Sequence, residues 1–229
     1  MKVFSNDKLS VRQLNNVGAL WYLRAFSTFM IVGLIAASAV KKGDVVLLAN
    51  NWHQPNIDQF FKFLTYLGDG IIFVFATIIF LFVRYSLAIH VASIGVLHGV
   101  IINSLKKGVF NHLPRPKAYF GEDVFLHFVE GVKVHNHNSF PSGHTASIFA
   151  LTFFLAIAIN RKSWSVPLMG LAILVAFSRV YLVQHFFVDI VYGSIVGIAS
   201  AVLSVWMLEK LWNLESQRNL QGALFRKTA

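Results

Sequence analysis

Long apolar runs constrain this chain more than any other feature. They lie at about 20–40, 71–83, 86–105, 145–159, 164–177 and 186–208, each bounded by polar or basic residues. A membrane-spanning helix needs about 20 largely apolar residues. In hydrocarbon the backbone must satisfy its own hydrogen bonds, so open sheets and coil are excluded there. The second run reaches that length only if it starts near residue 63, through an amphipathic piece at 57–66 and Gly68-Asp69-Gly70. The fifth reaches it only if 179–183 continue it near the interface. The runs predict an all-α, polytopic membrane helix bundle with six transmembrane helices, and residues 1–229 as a single membrane domain. Its parts are a polar segment at 1–18, a bundle at 20–208 and a basic tail at 209–229. Composition agrees: 56% of residues are hydrophobic and 13% charged, against roughly 25% charged in ordinary soluble domains.

The formal charge of +10 has an explanation in the same frame. Loops on the inner face of a membrane protein collect Lys and Arg, and anionic headgroups attract them. Nucleic acid as a partner would need a basic patch on a soluble surface, and the sequence offers none. The lack of cysteine excludes disulfides, thiolate catalysis and cysteine metal sites. Ala36-Ala37-Ser38-Ala39 is similar to a signal-peptide cleavage site. The polar region before the first run is long for a signal, however, and Trp21 and Tyr22 suit an interface belt, so a retained helix is expected. Six spans put both termini on one side, together with Arg24, Arg84, Arg161, Lys162, Lys210 and Arg218. The other side carries nearly as many cations, but Lys106, Lys107, Arg115 and Arg179 among them have a different use, below. The expected location is the cytoplasmic (inner) membrane, multi-pass, with the polar site facing the periplasm or cell exterior.

Ionisable groups at the ends of such helices are costly and pair for a purpose. His185 and Asp189 are four residues apart at the start of the sixth run and share a helix face. A carboxylate there can hold one ring nitrogen and leave the other nucleophilic. By itself this is an ordinary polar pair. Arg179, six residues earlier, adds a permanently charged planar fork suited to phosphate. Pro141-Ser142-Gly143-His144 opens the fourth run. Gly143 lets backbone approach a ligand, helix-entry N–H groups favour anions, Ser142 adds a hydroxyl, and His144 can give up a proton. Lys107 and Arg115 add two cations after the third run. A cationic pocket with two histidines, one of them orientable, suits phosphoryl transfer through a phosphohistidine. No metal is needed: the acidic residues form no ligand pattern along the sequence, and no cofactor motif is present.

This order of motifs resembles the type 2 phosphatidic acid phosphatase superfamily, which includes bacterial lipid phosphatases and the vanadium haloperoxidases. The matching residues are Lys107 with Arg115-Pro116, then Pro141 to His144, then Ser178-Arg179 with His185 and Asp189. The first motif departs from the usual spacing: seven residues separate Lys107 from Arg115 where six are usual, and Lys106 is farther still. The resemblance covers roughly 60–208. It implies that His185 attacks phosphorus with Asp189 orienting it, and that His144 protonates the leaving group and then activates water. Lys107, Arg115, Ser142, Gly143 and Arg179 would hold the phosphate oxygens. It also implies a metal-free phosphatase acting on a phosphorylated membrane lipid: phosphatidate, phosphatidylglycerol phosphate, undecaprenyl diphosphate or a lipid A phosphate. Phosphotransfer to a second lipid, and binding or transport without cleavage, remain alternatives. The hydrophobic frame speaks against a haloperoxidase. Among the other histidines, His90 and His98 suit packing inside the third span. His135 and His137 suit a solvated loop at the mouth, and His112 and His127 carry less signal.

Overall fold

The computed structural model describes residues 16–225, so most of the 1–18 segment and the end of the basic tail lie outside the described residues. Among the described residues the regular elements are helices: α1 Val17–Ala39, α2 Asp44–Asn50, α3 Pro55–Leu64, α4 Ile72–Leu81, α5 Tyr85–Ser104, α6 Pro116–Phe120, α7 Gly143–Ile159, α8 Lys162–Tyr181 and α9 Phe187–Trp212. Local chemistry sets many of the ends. The Asn16 side chain caps α1 by accepting from the Ala19 N–H, and Ser142 caps α7. Pro55 and Pro116 stand in the first turns of α3 and α6, where a missing N–H costs nothing. Asn160 and Asn213 end α7 and α9 in the left-handed conformation that Asn tolerates.

The all-helical membrane bundle is as expected, while length and apolarity support four to five of the six expected spans. Among the described residues, four helices are long and apolar enough to cross a membrane: α1, α5 with its following turn (Tyr85–Val109), α8 and α9. Pro55–Gly68 and α4, which meet at 62°, pass the same test only as a pair, the mark of a broken span or a re-entrant loop. Helix α7 has 17 residues, about 26 Å at 1.5 Å per residue, against a hydrocarbon core of about 30 Å. Burial explains why α7 can be short. Every residue from Thr145 to Ile159 except Leu155 is buried, so protein rather than lipid surrounds it. Apolar side chains such as Ile31, Ile35, Ile79 and Val96 are exposed around the bundle, where a soluble protein would be polar.

Helices α7 and α9 pack backbone to backbone. A Cβ at Gly193 would stand 2.7 Å from the Ser142 carbonyl oxygen, and one at Gly197 would overlap the Ala146 carbonyl. Gly193-Ser194-Ile195-Val196-Gly197 thus acts as a small-residue seam that lets two backbones touch. Because Gly193 meets Ser142 and Gly197 meets Ala146, α7 and α9 run parallel. Helix α1 starts at the far end of α7, where Asn16 Nδ2 donates to the Ile157 carbonyl (2.9 Å) and the Gly18 N–H to Asn160 Oδ1 (3.3 Å). The start of α1 and the end of α9 therefore lie at the same end of the bundle, as an even number of crossings requires. Beyond α9 the chain folds back on the α4–α5 turn, with the Tyr85 N–H donating to the Gly222 carbonyl (2.9 Å) and the Leu224 N–H to the Leu81 carbonyl (3.0 Å).

Candidate active site

Two helix starts meet at the other end. The Ser142 N–H donates to the Asp189 carbonyl (3.0 Å), joining the segment that opens α7 to the first turn of α9. The Ser142 hydroxyl oxygen accepts from Thr145 Oγ1 (2.9 Å) and the Thr145 N–H (3.4 Å), which leaves its own proton free to donate. Asp189 Oδ2 accepts from the Phe186 N–H (3.0 Å) and the Ser139 hydroxyl, and lies 3.3 Å from His185 Nδ1. That contact favours a proton on Nδ1 and leaves the Nε2 lone pair as the reactive face of His185. The loop carrying His185 is itself fixed. The Gln184 and His185 N–H groups both donate to the Arg179 carbonyl (2.9 and 3.1 Å). Val183 is held at φ 57°, a left-handed conformation that β-branched residues avoid, by a fully buried setting.

Cations surround this pair. Arg115 is buried and spreads its guanidinium over loop and turn: Nε to the His137 carbonyl (2.9 Å), Nη1 to Gln184 Oε1 (2.9 Å), Nη2 to the Asn138 carbonyl (3.5 Å). Arg179 donates from Nη1 to Thr65 Oγ1 (2.7 Å), while its buried Nε has no hydrogen-bond partner. Lys106, half-buried, interacts electrostatically with Arg115, Asp189 and Arg179, whereas Lys107 is exposed. The structure therefore brings Lys106 to the cluster and not Lys107, a difference traced to the π-type turn Leu105–Val109 that follows α5. His185 is fully buried. Burial first, then Arg115, Lys106, Arg179 and His144, hold its imidazole well below the ordinary value, so it is neutral at neutral pH.

His144 sits in the first turn of α7, partly exposed, with Arg179, Lys106 and Arg115 acting on it as well. Asp69 Oδ2 lies 4.0 Å from its Nε2. The break between α3 and α4 makes this possible, because a Cβ on Gly68 would press on the His144 carbonyl and Cβ at 2.9 and 3.0 Å. Gly143 is different. A Cβ there would make only an ordinary 3.4 Å contact with Ile102, so protein packing does not demand the glycine. A ≈ 270 Å³ cavity adjoins Asp189, walled by Lys42, Phe110, Leu113, Phe140, Phe186 and Val188.

Sequence reasoning did not pick out Gln184, Thr65, Ser139 or Asp69. Each is an ordinary polar residue whose partner lies 50 or more positions away, as with Ser139 and Asp189. The loop histidines divide. His135 and His137 are exposed; burial and then Arg115, Lys133, Arg179 and Lys106 depress His135, which places it near the mouth. His127 is locked by Asp58 (2.8 Å) and stacks on His53 (4.3 Å). His98 is buried against Phe73 and the Gly143 backbone, in keeping with a packing role.

A helical membrane bundle with a buried His–Asp pair, a second histidine and a ring of cations at one end defines a polytopic membrane protein with an anion-handling site. The chain belongs to the PAP2 superfamily, which matches residues 86–213. Among curated relatives it is similar to the lipid A 4'-phosphatase of Porphyromonas gingivalis, 26% identical over 68% of this chain and 67% of that one. It is also similar to the bacitracin transport permease protein BcrC of Bacillus licheniformis, 32% identical over 32% of this chain and 36% of the other. A third relative is a probable sphingosine-1-phosphate phosphatase of Dictyostelium discoideum, 23% identical, of which the chain spans about half the length (52%). Among solved structures, Aquifex aeolicus LpxE is 27% identical with a TM-score of 0.62, covering 72% of this chain and 94% of that one. A PAP2-type phosphatidylglycerolphosphate phosphatase from Bacillus subtilis shares the fold at 20% identity and a TM-score of 0.54, over 87% and 95% of the two chains.

Proposed function

We propose that the protein is an integral-membrane lipid phosphatase that hydrolyses a phosphorylated membrane lipid through a phosphohistidine on His185, without a metal ion. One observation carries this reading. The same three cations, Arg115, Lys106 and Arg179, act on both His144 and His185, while Asp189 holds the inward nitrogen of His185. Cations placed so that they reach nucleophile and acid alike stabilise charge as it moves from phosphorus to the leaving oxygen.

His185 Nε2 attacks phosphorus, a P–N bond forms and the P–O bond to the lipid breaks. The anionic phosphate, seated among the cations, supports a charged His144, which donates its proton to that oxygen, and the lipid alcohol leaves. His144, now neutral, takes a proton from water as the water oxygen attacks phosphorus. The P–N bond breaks and inorganic phosphate departs. Arg115, Arg179 and Lys106 hold the non-bridging oxygens with the Ser142 hydroxyl and the Gly143 backbone, and Lys106 replaces Lys107 in this role. The unpartnered Arg179 Nε supplies a ready donor. Apolar walls beside Asp189 suit a lipid rather than a soluble phosphate ester. The relatives that bear lipid phosphatase names support this substrate class. Arg24, Arg84, Arg161, Lys162, Lys210 and Arg218 stand at the end of the bundle away from the site, which supports a site on the outer side of the cytoplasmic membrane.

Phosphate release from purified protein should be measured with phosphatidate, phosphatidylglycerol phosphate, undecaprenyl diphosphate and lipid A phosphate, in the presence of chelator. His185→Ala should lower release by about 10³-fold or more, and acid-quenched wild type should carry labelled phosphate on residue 185. Label on another side chain, or activity that needs added divalent ions, overturns the scheme.

A further inference from the structure

At the end of the bundle away from the candidate active site lies a second buried polar cluster, formed by His90, Glu209 and Glu215. Glu209 is twenty residues beyond Asp189 along α9, about 30 Å at 1.5 Å per residue. One ligand atom from each of the three lies within 4.8 Å of the others, and their side chains are 0%, 4% and 1% exposed. The sequence hides this set: His90 begins the third apolar run, Glu209 ends the sixth, and Glu215 belongs to the returning tail.

The detailed contacts are those of groups aimed at a common point rather than at each other. His90 Nδ1 lies 2.8 Å from the Ser86 carbonyl, which fixes the proton there and leaves the Nε2 lone pair on the side of Glu209. Nε2 is 3.3 Å from Glu209 Oε1 yet makes no hydrogen bond, so the oxygen lies off the ring N–H axis. A proton shared by the two would lie on that axis. Two donors bound to one ion need not face each other: tetrahedral bonds of about 2.0–2.1 Å give a ligand–ligand edge of about 3.4 Å. Neither Glu215 oxygen has a hydrogen bond; Oε1 is 3.9 Å from His90 Nδ1 and Oε2 is 3.4 Å from Arg84 Nη2. The Glu215 N–H donates to Glu209 Oε1 (3.3 Å). Two buried carboxylates share one guanidinium, that of Arg84, and burial makes it costly to leave acidic groups without partners.

We propose that His90, Glu209 and Glu215 bind one divalent transition-metal ion, of the Zn²⁺ or Mn²⁺ kind, which clips the returning tail to the bundle. One imidazole with two carboxylates suits such ions. The ion joins the start of α5, the end of α9 and the tail, where Gln221 Nε2 also donates to the Glu215 carbonyl (2.8 Å) and Arg84 Nη1 to Gln221 Oε1 (3.4 Å). It is structural and separate from phosphoryl transfer.

The full chain, purified in detergent, is stripped with EDTA, given Zn²⁺ or Mn²⁺ in slight excess, desalted and assayed by plasma mass spectrometry. Wild type should retain about one ion more per chain than Glu209→Gln/Glu215→Gln, as a single closed site requires. His135→Ala/His137→Ala should retain as much as wild type, since loop histidines are the alternative source of binding. Equal metal in wild type and the double Gln variant, or none in either, overturns the proposal. A reading that needs no variant is tryptic cleavage after the exposed Arg218 of wild type. Stripping should speed it about tenfold at metal levels ten times Kd, and metal should restore the slow rate. A rate indifferent to stripping and reloading removes the clip.

Discussion

Lys106 and Lys107 adjoin in sequence, but one is half-buried among Arg115, Arg179 and Asp189 while the other is exposed. A π-type turn widens the helix by one residue and re-aims what it carries, which is why such turns recur near functional sites. Here Leu105–Val109 turns Lys106 toward the histidines. If its ammonium holds a phosphate oxygen, losing it removes a preorganised positive charge. Lys106→Ala should then lower kcat/KM for phosphate release by about 10²–10³-fold. Lys107→Ala, which removes an exposed cation, should stay within about twofold, since surface charges contribute little. Equal losses in the two variants would reject the assignment of Lys106 to the phosphate. The spacing of Lys and Arg along the chain could not make this distinction, because it depends on a local change of helix type that propensity does not encode.

At the level of helices, the site depends on α7 and α9 starting side by side, and that depends on Gly193 and Gly197. Gly197→Leu would drive a side chain into the Ala146 carbonyl, an overpacking that costs about 1–3 kcal/mol. The same displacement would part the Ser142 N–H from the Asp189 carbonyl and loosen the turn that carries His185. The variant should therefore unfold at lower temperature and release phosphate more slowly even where it remains folded, whereas Gly170→Leu in α8, where a Cβ would meet open space, should change neither. Thermal unfolding and turnover measured on both variants check this. The example also marks how far the sequence is legible. Ser142, Gly143, His144, Arg179, His185 and Asp189 could be read because local motifs place them at helix ends. The length and apolarity of the runs gave the bundle. The break at 65–71, the short buried α7, and the supports Asp69, Thr65 and Gln184 could not be read, because each follows from packing between distant segments. The cluster of His90, Glu209 and Glu215 is the extreme case, with His90 more than 100 residues from both glutamates along the chain.

For the whole molecule, the parallel run of α7 and α9 and the antiparallel α5 divide the polar groups into two ends. One end carries His144, His185 and their cations; the other carries the start of α1, the α7–α8 turn and the returning tail. Lys and Arg that serve no site are held on the cytoplasmic side during insertion, because moving them across costs free energy against both the bilayer and the membrane potential. Three of the cations on the site side, Lys106, Arg115 and Arg179, serve the phosphate cluster, which tips the balance of the rest toward the far end. Orientation can be measured directly, because the chain has no cysteine and a single introduced thiol reports alone. Asp123→Cys, exposed in the loop at the site end, should react with a membrane-impermeant maleimide added to intact cells. Ser163→Cys, exposed in the first turn of α8, should react only after the membrane is opened. The reverse pattern would place the histidines on the cytoplasmic side, and the lipid phosphate they act on would then have to be drawn from the inner leaflet.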